Sequence, residues 1–247
     1  MTNKTRTSIV AMLAVTLAVS AVAASIPSAT ADVLTDKVVN YHSSQYDKHT
    51  DKWVSWWASL DDPNKNDITS DTYDCTDNQS GKVWYLQGTD AEVVEGEAND
   101  PGGIIEVDCT IPKSTKLLFP LVNVFPNADT AENTEQQYNE LATVIAFGGY
   151  YEPWDFTSEG ATDLTLVVDG VDLSANLDQY QIQEFNAFEA ECVNWGYPFC
   201  DDGDYWVHAG HYILLNPLSP GEHTIEFGGA YPSLGFQTGA TYHITVE

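Results

Sequence analysis

From Leu117 to Glu247 the chain holds 20 carboxylates and no lysine or arginine. A surface built from these residues cannot be laced with salt bridges, so its carboxylates stand in water or face cations. Its stability must come from apolar burial and backbone hydrogen bonds. Over the whole chain 37 acids oppose 9 bases, a formal charge of −28. That charge repels phosphate backbones and anionic headgroups, which argues against nucleic acid and against direct binding to membrane lipid. Salt screens such repulsion within about 8–10 Å, so the acidity suits a protein adapted to salty water. The sharper alternative is that some carboxylates hold a hard cation. With 43% hydrophobic and 12% aromatic residues the chain is too apolar to be disordered.

The N-terminus reads as a secretory signal. Lys4 and Arg6 precede an apolar run from Ile9 to Ala24, and Ala29-Thr30-Ala31 supplies small residues for cleavage after Ala31. An uncleaved anchor is the alternative reading. No later stretch reaches the roughly 18 apolar residues of a membrane-spanning helix. The expected organisation is a signal peptide over 1–31 and one secreted β-rich domain over 32–247, extracellular or at the cell surface, with seven bases left against 37 acids.

Four cysteines in an exported chain predict two disulfides, with three connectivities open. Nearest-neighbour pairing, Cys75–Cys109 and Cys192–Cys200, is the favoured one. On a chain-entropy basis the two closures contribute about 4 and about 2.6 kcal/mol.

Val33 to Leu60 lacks proline and glycine and shows helical spacing. It predicts one helix, or two with a break near Ser43-Ser44. Trp53, Trp56 and Trp57 share a face at i, i+3 and i+4, a stripe that fits burial against a sheet better than stacking on sugars. Strand patterns follow at Lys82 to Gly88, Gly103 to Cys109 and Thr115 to Asn123. A second helix is expected over Thr134 to Phe147, opened by a capping box at Thr134. Leu164, Leu166 and Val168 alternate into Asp169-Gly170, a hairpin signal with its return strand at Val171 to Leu173. A short helix is expected near Glu184 to Cys192. Strands are expected at Tyr212 to Leu215, Glu222 to Phe227 and Tyr242 to Val246. Many short strands, glycine and proline turns and two principal helices predict a mainly β fold: a single sandwich, jelly-roll-like or Ig-like, with an N-terminal tryptophan-rich helix and one further short helix.

Several of these segments form a joint pattern. Trp53-x-x-Trp56-Trp57, Cys75, Gly81-x-Val83-Trp84-x-Leu86-x-Gly88, Cys109-Thr110-Ile111-Pro112 and Leu118-Phe119-Pro120-x-x-Asn123 occur in order. Val168-Asp169-Gly170 and Leu214-Leu215-x-Pro217-Leu218-Ser219-Pro220-Gly221-Glu222-His223-Thr224-Ile225-x-Phe227-Gly228-Gly229 complete it. The pattern resembles a family of small secreted prokaryotic proteins without an established activity. The resemblance implies secretion and a β-rich fold, and implies no chemistry.

Three candidate sites stand out in the acidic stretch from Tyr180 to Asp204 and just after it. Asp201, Asp202 and Asp204 gather around Gly203, which makes them candidate calcium ligands; the alternative is an exposed acidic turn. Trp195, Tyr197, Tyr205 and Trp206 are candidate ligand-binding aromatics that could stack on a glycan or another cell-surface component; the alternative is a cap on the sandwich. His208 and His211 form a close histidine pair, which on a strand would face opposite sides and on a loop could converge on a metal. No nucleophile elbow, zinc-protease helix, dinucleotide loop or phosphate loop is present in the sequence. The expected function is therefore a non-catalytic binding or structural module with its binding region between Glu189 and His211. The alternative is a secreted hydrolase of polysaccharide or peptide, metal-dependent through the acids and the histidine pair. The two differ in geometry, because an enzyme needs a cleft where such groups converge.

Overall fold

The structure is a computed structural model that describes residues 36–60, 73–92, 105–190 and 205–247. The expected signal peptide and the Cys192–Cys200 pair lie outside the described residues. The fold is mainly β with two helices, consistent with a sandwich. One sheet runs β1 (Val83–Tyr85), β4 (Lys116–Val124), β11 (Tyr205–Leu215) and β10 (Gln181–Glu189), with β5 (Asn127–Ala128) also paired to β11. The other runs β2 (Thr89–Glu92), β13 (Phe236–Val246), β12 (Gly221–Tyr231), β8 (Thr162–Val168) and β9 (Val171–Asp172), with β3 (Ile105–Ile111) parallel to β13. A small hairpin pairs β6 (Gly149–Tyr151) with β7 (Phe156–Ser158). The sheets meet through aromatic rings: Phe119 of β4 stacks on Phe227 of β12 at 4.3 Å between centroids, and Phe227 stacks on Tyr242 of β13.

The tryptophan stripe builds helix α1 (Gln45–Ala58), which starts directly after the Ser43-Ser44 break. Trp53, Trp56 and Trp57 are all buried. Their rings hold the helix on the first sheet, while the indole N–H groups of Trp53 and Trp56 donate to the carbonyls of Leu86 (2.7 Å) and Asp77 (3.0 Å). A buried indole needs such a partner, and this one fixes the helix in register. In the first turn of α1, Tyr46 clasps the preceding segment to the end of β11: its hydroxyl donates to the Val39 carbonyl and accepts from the Leu214 amide. The expected Cys75–Cys109 disulfide is present and ties the turn beyond α1 to β3.

Helix α2 (Ala131–Phe147) begins three residues earlier than the sequence suggests. Thr130 is the N-cap, its hydroxyl accepting from the Asn133 amide at 3.2 Å. Thr134 sits inside the first turn, where its hydroxyl donates to the carbonyls of Thr130 and Tyr205. The Asp169-Gly170 turn forms as expected, with both residues at positive φ (54° and 72°), the pattern that matches strand twist in a two-residue hairpin.

Two expectations are corrected. The segment from Glu184 is strand β10, not a helix. Its pairing with β11 breaks between Glu184 and Phe188, and α2 satisfies the backbone there. Asn139 donates to the Phe185 carbonyl (2.8 Å), and the Glu135 carboxylate accepts from the Ala187 amide (2.9 Å). Tertiary partners thus override local helical tendency. Strand β11 is also far longer than Tyr212 to Leu215, because His208, Gly210 and His211 interrupt the apolar alternation without interrupting the ladder.

Gly210 explains how β11 lies so close to β4. A Cβ at this position would stand 2.6 Å from both the Val122 carbonyl oxygen and the Asn123 Cβ, which are backbone or adjacent to it and cannot swing aside. Gly210→Ala is therefore expected to lose about 1–3 kcal/mol of stability through overpacking, measured by urea denaturation. A variant within about 0.5 kcal/mol of the parent, the range of an ordinary surface change, would show that the approach is not tight.

Candidate functional site: an aromatic cleft at one end of the sandwich

The cleft forms between the segment that joins β4 to β5 and the tip of the β12–β13 hairpin. Asn123, Val124, Phe125 and Pro126 make one wall, while Tyr231, Leu234 and Phe236 make the other. The cleft is open to solvent and its volume is about 310 Å³, the lower end of the range for ligand pockets. A narrow extension of about 20 Å³ continues past Phe125 and Phe236 to Trp53 and Trp57. Phe125 is the hinge between the two spaces. It packs edge-on against Trp57 at 4.5 Å and Trp53 at 6.0 Å, and leans on Trp206 at 5.9 Å.

The polar groups of the cleft are few. Asn123 donates its amide N–H to the Tyr212 hydroxyl at 2.9 Å. The Tyr231 hydroxyl is buried and without a partner among the described residues, and burial pushes it well above the usual tyrosine value.

The hairpin tip beside the cleft has a twin. Tyr231 pairs with Phe236 across a 3-10 turn, Pro232–Leu234, that ends in the left-handed Gly235. Tyr151 pairs with Phe156 across the 3-10 turn Glu152–Trp154, which ends in the left-handed Asp155. The two tips lie side by side, joined by a 3.0 Å contact between the Ser158 and Ser233 hydroxyls. Each presents an apolar residue outward: Trp154 is 61% exposed and Leu234 48%.

Of the candidates read from sequence, the described ones do not line the cleft. Asp201, Asp202, Asp204, Trp195 and Tyr197 lie outside the described residues. Tyr205 opens β11 half-buried. Trp206 is 3% exposed and stands behind Phe125, in the core rather than on a surface. His208 and His211 do not converge, because positions three apart on a strand face opposite sides. His208 is fully buried with Nε2 at 3.1 Å from Asp51 Oδ1 of α1. His211 lies on the other face, edge-on to Phe147 of α2. Among the described residues no cluster of three or more His, Cys, Asp or Glu side chains is arranged to hold a metal.

A second constellation was invisible in sequence because it joins two turns 50 residues apart. His223 places Nδ1 3.0 Å from Asp169 Oδ2, and Nε2 3.3 Å from Ser219 Oγ. Serine, imidazole and carboxylate in that order have the makings of a nucleophilic triad. The closer contact decides against it: Nε2 lies 2.8 Å from the Ser219 carbonyl, an acceptor that calls for a proton on that nitrogen. A general base needs a lone pair there. The group is a clamp between turns, reinforced by Lys37 and by the Thr224 amide on Asp169. Burial opposes the charge of Asp169, but the bonds from His223, Thr224 and Lys37 outweigh it and hold its carboxyl below the usual value.

No family model matches the chain, and no curated protein matches it. Among solved structures it is similar to PbICP-C, solved in complex with falcipain-2, at 11% identity over 68% of this chain and 100% of that chain, with a TM-score of 0.24. It is similar to amebosin, known from a solution structure, at 10% identity over 68% and 100% of the two chains, with a TM-score of 0.20. Scores that low carry no inference about fold or function.

His211 generates a pH prediction. Burial pushes its imidazole down to about 4, against a smaller upward pull from Asp178. The unfolded chain takes up the proton near pH 6.5 and the folded one only near pH 4. This residue therefore removes stability as pH falls through that window, on the order of 3 kcal/mol when complete. His211→Leu should lose correspondingly less stability than the parent between pH 7 and pH 4, read from urea midpoints at each pH. Equal losses in the two proteins would place the titration elsewhere.

Proposed function

We propose that this chain is a non-catalytic binding module, secreted or held at the cell surface, whose site is the cleft between Phe125 and Phe236. The observation that carries the reading is the cleft itself: an open, apolar, aromatic-walled space at one end of the sandwich. Apolar, aromatic-walled clefts with a few polar groups are the usual form of a ligand site. Export is supported by the signal-like N-terminus and by the Cys75–Cys109 disulfide, which belongs to an oxidising compartment. Among the described residues no helix is long and apolar enough to cross a membrane. The likeness to a family of small secreted prokaryotic proteins agrees with this placement. The cleft is a different region from the Glu189 to His211 segment expected from sequence, of which residues 191–204 lie outside the described residues; Trp206 supports the cleft from behind.

The hydrolase alternative finds little support in the described residues. Its histidine pair is split across a strand, and the Ser219–His223–Asp169 group is spent on holding turns together.

The test is binding of a neutral apolar dye such as Nile red, followed by fluorescence. The chain should bind one dye per molecule, and Leu234→Ser and Phe236→Ser should each weaken it about tenfold, the share expected from losing one apolar wall. Unchanged affinity in both variants, with their melting curves intact, would show that the cleft is not the site.

A further inference from the structure

Beyond the expected signal peptide the sequence holds one N-glycosylation sequon, Asn78-Gln79-Ser80. Resting on the reading of the chain as exported, we propose that Asn78 is a modification site. Its side-chain nitrogen accepts a saccharide delivered on a polyprenyl phosphate carrier. The site lies on the turn beyond α1 and shares no residue with the cleft.

The turn displays the two residues that the modification needs. Asn78 and Ser80 are exposed, while Gln79 between them is half-buried. The Gln79 amide donates to the carbonyls of Cys75 (3.1 Å) and Tyr85 (2.7 Å), and its oxygen accepts from the Tyr85 amide (2.9 Å). The middle side chain thus fastens the sequon to the protein body and leaves its neighbours in water. An exposed turn of an exported chain is where a bulky, hydrated group can be carried without disturbing a core.

The backbone around it is held as firmly. Trp56 donates to the Asp77 carbonyl, and Cys75 is bonded to Cys109. Asn78 adopts the left-handed conformation at φ 51°, which asparagine tolerates. The space beside the sequon is open, since a Cβ at Gly81 would meet no atom within 4 Å.

The acceptor nitrogen has hydrogens enough for both tasks. Asn78 Nδ2 donates to the Ser59 carbonyl at 3.0 Å and stands 3.3 Å from Ser59 Oγ. In the transfer Nδ2 attacks the anomeric carbon of the saccharide. The C–N bond forms as the C–O bond to the carrier breaks, the carrier leaves as its phosphate, and the nitrogen gives one proton to a base of the transferase. One N–H remains, the number that the 3.0 Å bond requires. The contact given up is the longer one, and Ser59 Oγ keeps its own 2.7 Å bond to the Trp56 carbonyl. Transfer comes before Asn78 docks on Ser59, while the exported chain is still folding.

Ser80 separates this role from a structural one. Asn78 also serves the turn, but the exposed Ser80 hydroxyl makes no hydrogen bond to the described residues. Its removal takes away the sequon and leaves the contacts of the turn in place.

The experiment recovers the chain from the medium or surface of the cells that make it, then reduces, alkylates and cuts it with trypsin. Mass spectrometry follows the peptide Asn66–Lys82. That peptide should carry a saccharide, placed on Asn78 by electron-transfer fragmentation. The added mass should be lost in Ser80→Ala and in Asn78→Gln and kept in Ser80→Thr. A bare peptide in the exported parent chain overturns the proposal and leaves export and the cleft untouched. A saccharide that persists in Ser80→Ala is attached by another chemistry, which overturns it too. If the chain is never found outside the cytoplasm, export and the modification fall together.

Discussion

Burial of one strand, β11, is the constraint from which the rest of the structure follows. From Trp206 to Leu215 every one of its side chains is buried. Such burial requires cover on both faces and partners on both edges, and the chain supplies all four. Strands β4 and β10 take the edges. Helix α1 covers one face through Trp53 on Tyr212 and Asp51 on His208. Helix α2 covers part of the other, with Phe147 on His211, and the second sheet covers the remainder, reached through the neighbouring Phe119–Phe227 stack. In a chain whose last 131 residues have no lysine or arginine, ion pairs cannot perform this role. Dispersion, apolar transfer and well-met backbone groups do.

The cleft is a by-product of that arrangement. Gly210 lets β4 press against β11 at Val122 and Asn123, and beyond β4 the chain stays on β11 through the Pro126 carbonyl and β5, which leaves Phe125 in the cleft wall. Trp206 on β11 and Trp57 on α1 hold Phe125 from behind and from the side. Asn123 is oriented by the Tyr212 hydroxyl, itself deep in the core. The wall residues are thus fixed by side chains that never touch a ligand, the condition under which a pocket keeps its shape when empty. The opposite wall is a short hairpin tip with Leu234 half in water, so the two sides of the cleft differ in exposure as well as in origin.

Much of the fold was legible because its signals are local. The Trp53, Trp56, Trp57 stripe has helical period, Asp169-Gly170 has the backbone tolerance its turn requires, and Cys75 lies near Cys109 in sequence. The rest depended on contacts made across the chain. Residues 184–189 read as a helix because nothing local reveals that Glu135 and Asn139 will satisfy their backbone. The first half of β11 was hidden by two histidines and a glycine, residues whose presence reflects what packs on them. The cleft itself joins Phe125 to Phe236, 111 positions apart in the sequence, and no spacing rule connects them. One clue was available: Tyr151 to Phe156 and Tyr231 to Phe236 share a Tyr…Phe frame around a proline turn with an apolar residue at its tip. Read together, they announce two similar hairpin ends, though not that these stand side by side.

Hydrogen exchange with mass spectrometry tests the primacy of β11 most directly. If the molecule hangs on this strand, amides of Tyr205–Leu215 and of its partner Lys116–Val124 exchange last, at the rate of global unfolding. The β6–β7 hairpin, a two-stranded unit at the periphery, exchanges well before them. Exchange of the β11 amides as early as those of the β6–β7 hairpin, or well ahead of the β12–β13 ladder, would contradict the account.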